Sequence, residues 1–344
     1  MKDAGTVTIG QGNASMTHGL RNVILAAAAL LGVWAPATAQ EFPQPGRPLM
    51  LVTGFPAGTA PDIYGRLIQA RVQQELGVPV VIDIRAGASG NIGMEYAARA
   101  VPDGHTVLIA TSAMLSISPS VFPRMPVDTQ ADFIPLLTTF EAPNFLTVSP
   151  ERRPQFTDCQ AVISAARAAP GRMNYASTGI GASTHLAAAQ FAVAFGLDLV
   201  HVPYRGGPFA ITALYQGDVD LFFYQTGPVI EAYRQGRVRL LGVTSATRVP
   251  AVPEIPTLAE ACNLPGFDST TWYSLLVPAR TPAPIVRRLS DVFTRVARER
   301  EIEERVVAMG FTPAVADGPA TSARLARDLV TWRAIVERVG ARVE

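Results

Sequence analysis

The sequence predicts a two-domain α/β protein built around parallel, doubly wound sheet, and three observations carry that expectation. A short apolar run, Arg47–Thr53, breaks at Gly54-Phe55-Pro56-Ala57-Gly58-Thr59-Ala60-Pro61-Asp62 and leads into a helical pattern. The same plan returns at Val80–Ile84, followed by Gly87-Ala88-Ser89-Gly90-Asn91-Ile92-Gly93, and a third apolar run at Val107–Thr111 completes a βαβαβ unit. A second βα series then fills residues 158–244, with proline-rich tracts on either side of it.

Taken in order, the first 39 residues lie outside this pattern. Met16–Arg21 is weakly basic, Val23–Trp34 is an apolar run too short to span a bilayer, and Ala37-Thr38-Ala39 is a small-residue cleavage motif. Residues 1–39 therefore read as a secretory signal peptide started at Met16 behind an upstream extension. Asp62–Leu76 is a helix with Ile63, Leu67, Ile68, Val72 and Leu76 on one face, ended by Gly77. Val78–Ile84 is a strand, Ile92–Ala100 a helix, and Pro102–His105 a turn before the buried strand Val107–Thr111. Pro119–Pro135 reads as a connection, and Leu136–Val148 as a long extended segment that crosses between domains.

In the second series Asp158–Ala168 is a helix capped by Thr157 and stopped by Pro170-Gly171. Met173–Ala176, Leu199–Pro203, Val219–Tyr224 and Val238–Thr244 are strands; Thr184–Phe195, Pro208–Tyr215 and Pro228–Gln235 are helices. After the proline-rich tract 247–267, Thr271–Val277 is a strand, and Ala283–Arg298, Ile302–Met309 and Ala320–Val339 are amphipathic helices lying over a sheet.

The 344 residues carry 29 basic and 28 acidic side chains, a net charge of +1, so nothing favours nucleic acid or an anionic membrane surface. Lys2 is the sole lysine, so fixed positive charge at a ligand must come from arginine or backbone dipoles. Cys159 and Cys262 are the only cysteines; in an exported chain they form one disulfide or remain two buried thiols, and a single pair with no repeat pattern favours thiols.

Strand, glycine-rich loop and helix start together make an anion pocket, because the first-turn N–H groups point outward. In the first loop, Gly54–Asp62, Gly58 lets the backbone approach a ligand, and the second loop holds Gly90 and Asn91. The second is not the dinucleotide fingerprint, since its glycines fall as GxxGxxG, and no phosphate-binding GxxxxGK[ST] exists. A third loop, Ser177–His185, adds Ser177, Thr178, Gly181, Ser183 and Thr184, whose hydroxyls and free N–H groups suit a carboxylate. An enzyme would use Ser183 as nucleophile with His185 as base, but the G-x-S-x-G elbow is absent. The histidines His18, His105, His185 and His201 form no metal-ligand spacing, so no metal or cofactor is expected. Arg205 is a donor fork for a carboxylate or a surface ion-pair partner. Tyr224 and Gln225 end a strand at the same face, while Trp272 and Tyr273 lie where the chain returns to the first domain.

These stretches recur in order in a known family: Phe55-Pro56-Ala57-Gly58, Arg85–Gly93, Pro102-Asp103-Gly104, Asn174–Leu186, Val202–Gly206 and Pro256–Glu260. The chain resembles the Bug family of extracytoplasmic solute receptors, the binding components of tripartite tricarboxylate transporters. The resemblance implies a type II periplasmic binding protein fold, two α/β lobes joined by a two-segment hinge. Residues 40–141 with 251–344 would form one lobe and 142–250 the other. It implies a carboxylate held by the loops after the first strand and after Ser177, at Phe55, Ala57, Gly58, Thr59, Ser177, Thr178, Ser183 and Thr184, a periplasmic monomer, and a membrane permease as partner. A histidine-kinase ectodomain is the competing partner and a secreted serine hydrolase the competing activity. Two departures stand out: the family often has Gly-Gly at Gly58-Thr59, and Asp-Asn at Tyr224-Gln225. Loss of that aspartate removes a counter-charge for an ammonium, so an aromatic or aliphatic mono- or dicarboxylate is expected over an amino acid.

Overall fold

The computed structural model describes residues 42–339, except 123 and 226, together with Met1, Gly5, Thr6 and Thr8. The signal-peptide expectation at 1–39 lies otherwise outside the described residues. Strand β1 (Leu49–Thr53) pairs in parallel with β2 (Val80–Ile84) on one side and β3 (Thr106–Thr111) on the other. Both faces of β1 are covered, which its unbroken apolar run requires. Leu49 and Leu51 pack against Tyr64, Ile68 and Val72 of α1 (Ala60–Leu76), and Val52 faces Met94 and Ala97 of α2 (Asn91–Ala98).

The chain then makes a π-helical turn, Ala113–Ile117, and a short helix α3 (Ser118–Val121), so the connection expected over Pro119–Pro135 begins inside a helix. The spacing of Ala113, Ile117 and Val121 is helical, but the four-residue period is too short to rise above the surrounding prolines.

Strand β4 (Phe133–Val148) joins the two halves of the sheet. Its first part runs antiparallel to β9 (Thr270–Pro278), and its last part pairs with β7 (Leu221–Gln225) and β8 (Arg239–Val243). Beyond β7 come β5 (Asn174–Ser177) and β6 (Val200–Pro203), both parallel. Where the chain crosses, Thr244 ties the strands together. Its N–H donates to Asn144 O at 2.8 Å, its hydroxyl accepts from Asn144 N–H at 2.8 Å, and its carbonyl accepts from Ser269 N–H at 2.9 Å.

The second half is also layered. Leu146, Tyr175 and Phe223 face Val162 of α4 (Cys159–Ala168) and Ala187 and Phe191 of α5 (Ser183–Phe195). Phe145, Ala176 and Phe222 face Ala210 and Leu214 of α6 (Gly207–Gln216) and Val229 of α7 (Pro228–Arg234). Helix α8 (Leu258–Ala261) is held by a capping box of Thr257 and Glu260, so Pro256–Glu260 is a structural motif. So is Pro102–His105, where the Asp103 carboxylate binds Arg47 at 2.6 Å and accepts from His105 N–H at 3.0 Å.

Helices α9 (Ala283–Ala297) and α10 (Arg300–Ala308) cover the first half. Strand β10 (Thr312–Asp317), which the sequence reading missed, pairs with β4 at its edge. The last helix, α11 (Gly318–Val339), returns across β4, and its Val336 is buried with Ile117, Val121 and Leu186.

Two expectations are corrected. Cys159 and Cys262 form a disulfide, Cα atoms 5.4 Å apart, because α4 and α8 bring together positions 103 residues apart in the chain. The cap of α4 is Asp158, whose carboxylate accepts from Ala161 N–H at 2.8 Å, and not Thr157. Among the described residues no helix is long and apolar enough to cross a membrane.

Candidate functional site

A cavity of about 460 Å³ lies between the ends of β1, β3, β7 and β9 and the start of α5. That volume is within the range of small-molecule sites. Each side is built by a local device. Loop 54–59 reaches the cavity through Phe55 and Thr59, with Ala60 and Pro61 beginning α1 behind them. The second loop runs through four consecutive residues of positive φ, Gly87 (141°), Ala88 (47°), Ser89 (55°) and Gly90 (95°). Two of these carry side chains in the left-handed region, a strain found mainly at functional positions, and it delivers Ser89 to the cavity. The third loop supplies Thr178, Gly179, Ile180, Gly181, Ala182 and Ser183. Thr111 at the end of β3 and Thr271 and Tyr273 of β9 also line it, and Ala113, Ile117, Ser118, Val121 and Phe122 form a largely apolar wall.

The lining contains no charged side chain among the described residues. An anion must therefore be met by neutral donors. The two helix starts differ in what they offer. Asp62, buried in the first turn of α1, accepts from Gly58 N–H at 2.8 Å and is bound to Arg66 at 2.9 Å, so that turn carries its own carboxylate. The first turn of α5 has no acidic residue and its cap, Ala182, has no side-chain acceptor. The N–H groups of that turn have no helical carbonyl to bond, and their dipole is uncompensated.

Gln225 is fixed beside that turn. Its Nε2 donates to Ser183 Oγ at 3.1 Å, and its side chain lies beside the Tyr273 hydroxyl. Tyr273 is held by stacking on Phe140, ring centroids 4.3 Å apart and planes 12° from parallel. Burial pushes its phenol above the usual tyrosine range, so it is a neutral hydroxyl at any ordinary pH.

Of the residues singled out from sequence, Phe55, Thr59, Thr178, Gly181, Ser183 and Gln225 meet at the cavity. Others stand behind it. Ser177 is fully buried, and its Oγ accepts from Gly179 N–H at 3.2 Å. Thr184 Oγ1 accepts from Thr178 N–H at 2.9 Å. Gly90 lies backbone-to-backbone against Gly54, Asn91 heads α2, and Ala57 and Gly58 turn the first loop. Arg205 and Tyr224 do not reach the cavity. Arg205 is exposed in the turn that follows β6. Tyr224 alternates with Gln225 along β7, so it points to the opposite face, stacked on Phe222 at 4.5 Å and packed against Gly207. Trp272 likewise turns away, its Nε1 donating to Asp328 Oδ2 at 2.6 Å, and only its neighbour Tyr273 lines the site. The wall 113–122 and Ser89 escaped the sequence reading.

Ser183 and His185 do not form a nucleophile–base pair: Ser183 Oγ accepts from Gln225, and His185 Nδ1 accepts from Gly181 N–H at 3.1 Å. His185 stacks on His201, ring centroids 3.9 Å apart and planes 7° from parallel. Desolvation first, and for His185 also the neighbouring imidazole, depress the two groups to about 3 and about 4, so both are neutral at pH 7. An unfolded imidazole takes a proton near pH 6.5. The stability from keeping these rings neutral is thus fully present above pH 6.5 and is lost as pH falls toward 4. For His185 the slope approaches about 1.4 kcal/mol per pH unit in that window, and His201, partly open to solvent, adds less. Thermal melts between pH 7.5 and 4.5 are expected to show this fall, and His185→Phe to flatten it. An equal slope in the variant would reject the assignment.

The family model described as tripartite tricarboxylate transporter family receptor matches residues 64–341. A Pseudomonas sp. (strain P51) protein described as a UPF0065 protein in the tcbD-tcbE intergenic region is 36% identical over 295 residues, 86% of this chain and 87% of that one. Among solved structures, R. palustris Rpa4515 with adipate superposes with a TM-score of 0.76 at 28% identity, covering 88% of this chain and all of that one. The periplasmic binding protein BugD superposes with a TM-score of 0.73 at 27% identity, covering 88% and 100%. The α/β fold is thus the one these receptors share.

Proposed function

The chain belongs to the tripartite tricarboxylate transporter receptor family, and from that premise we propose that it captures a small organic carboxylate with an apolar body and delivers it to a membrane permease. The observation that carries the reading is the uncharged cavity with one uncompensated helix start at its polar end and the apolar side chains of Ile117, Val121 and Phe122 in its lining. The carboxylate sits at the first turn of α5, near Ser183, Thr178 and the Gln225 amide. The ligand body lies against Phe55, Pro61 and the apolar wall. Adipate, held by the related R. palustris protein, has this character.

Residues 40–141 with 251–344 form one lobe and 142–250 the other, and ligand brings them together by bending at β4 and at the return near Thr244–Ser269. The protein acts in the periplasm after removal of residues 1–39. Capture, not turnover, is the activity: neither histidine near the loop faces a serine that lines the cavity. An α-amino acid is disfavoured because its ammonium finds hydroxyl and amide oxygens but no carboxylate, and the desolvated charge is left under-satisfied.

Thermal shift and calorimetry against adipate, malate, benzoate, citrate, aspartate and glutamate test this. A ligand at about a hundred times its Kd stabilises the native state by roughly 2.7 kcal/mol. Adipate or benzoate is expected to stabilise and the two amino acids are not. Tighter binding of aspartate than of every simple acid would overturn the ligand class. Gln225→Ala, which removes the donor to Ser183, is expected to weaken the favoured acid by about 1 kcal/mol, with the melting temperature of the free protein little changed.

A further inference from the structure

The loop 178–182 lines the cavity at the start of α5. Gly179 and Gly181 take φ of 143° and 76°, and Ile180 at its tip is half exposed. Two glycines in five residues leave the segment many conformations unless something holds it. Among the bonds that do so are Thr178 N–H to Thr184 Oγ1, Gly179 N–H to Ser177 Oγ, Ala182 N–H to Gly179 O at 3.2 Å and Gly181 N–H to His185 Nδ1.

The bond to His185 differs from the others because its acceptor is a ring held in a stack with two further rings. His185 lies on α5, buried, and its ring lies parallel to that of His201 on β6; Tyr175 on β5 stacks with His201 at 5.0 Å and with His185 at 6.2 Å. His201 Nε2 in turn shares a 2.6 Å hydrogen bond with Ser177 Oγ, which also holds Gly179 N–H. One stack of three rings thus reaches both ends of the loop, at Gly181 directly and at Gly179 through Ser177. Accepting from Gly181 requires the lone pair on Nδ1, hence the neutral His185 tautomer with its proton on Nε2.

We infer that His185, braced by His201, is the positioning residue of the ligand-binding loop, holding Gly181 so that the first-turn N–H groups of α5 stay open to the carboxylate. It rests on the proposed carboxylate site, which the ring stack never touches directly. His185→Phe keeps ring area but has no acceptor; His185→Asn gives up the stack but places an amide oxygen where Nδ1 stands.

Amide hydrogen exchange of the unliganded wild type and both variants tests it. Loss of one hydrogen bond should speed exchange at Gly181 about tenfold in His185→Phe, with His185→Asn staying near wild type. Adipate, titrated into the same proteins, should bind His185→Phe about tenfold more weakly than His185→Asn. Unchanged exchange at Gly181 in His185→Phe, or equal loosening in both variants, would overturn the inference. A wild type that binds no adipate counts against the ligand reading alone, since exchange is measured without ligand. Should His185→Phe fail to fold, His201→Phe, which keeps the stack and drops the Ser177 bond, is expected to speed exchange at Gly179, and no change there would equally reject the inference.

Discussion

Alanine at Gly54 is expected to cost more than about 3 kcal/mol of stability and to disable ligand binding. A Cβ at this position would lie 2.9 Å from Gly90 C and closer still to its Cα and O. The obstacle is backbone, so no side-chain rotation relieves it. From the other side, a Cβ at Gly93 would come within 2.7 Å of Gly54 Cα. The first two site loops are therefore pressed together main chain to main chain, and separating them displaces Phe55 and Thr59 from Ser89 across the cavity. Gly58 is the control. Its Cβ would meet open space, and only its φ of +81° opposes a side chain, a cost of about 1–2 kcal/mol. Urea unfolding of Gly54→Ala and Gly58→Ala should show this ordering. A Gly54→Ala protein within about 1 kcal/mol of wild type would show that the loops can separate freely.

Removing the disulfide is expected to lower stability by about 2–4 kcal/mol. The Cys159–Cys262 bond closes a loop of 103 residues, large enough to restrict the unfolded chain strongly. Both cysteines are buried in the core that holds Val162, Phe191, Phe223 and Leu258, so the paired alanine variant also loses some packing. Thermal melts of wild type with and without reductant, beside Cys159→Ala/Cys262→Ala, separate the two effects. Reductant alone should reproduce most of the fall. A melting temperature that ignores reductant would show that the cross-link adds nothing to the native state. Because the bond joins α4 to α8, away from the cavity lining, carboxylate affinity in the reduced protein should stay within about threefold of the oxidised one.

Much of the architecture could be read from periodicity. The apolar runs at 49–53 and 107–111 are strands because nothing else buries such a run on both faces, and the helical spacing of Ile68, Val72 and Leu76 places α1 over them. The loops at 54–59 and 177–183 declared themselves through glycine and hydroxyl residues at helix starts. Less legible were the elements whose stabilisation comes from distant partners. Strand β10 is half-exposed and has little apolar alternation of its own; it exists because the edge of β4 offers a ladder. The wall 113–122 was hidden by Pro119 and the prolines that follow it, and takes its shape from packing against Leu186 and Val336.

The sequence by itself determined the order of most strands and helices, the near-neutrality of the chain, the glycine-rich loops at helix starts and the family pattern, since these depend on local composition and short-range spacing. Only the tertiary structure decided which side chains share the cavity. Alternation along β7 sends Gln225 inward and Tyr224 outward, and that depends on which face α5 covers. Likewise α4 and α8 bring two distant cysteines to 5.4 Å between their Cα atoms. The same holds for His185 and His201, which meet because β5 and β6 pair in parallel beneath α5, a contact between residues that carry no mutual signal in the chain.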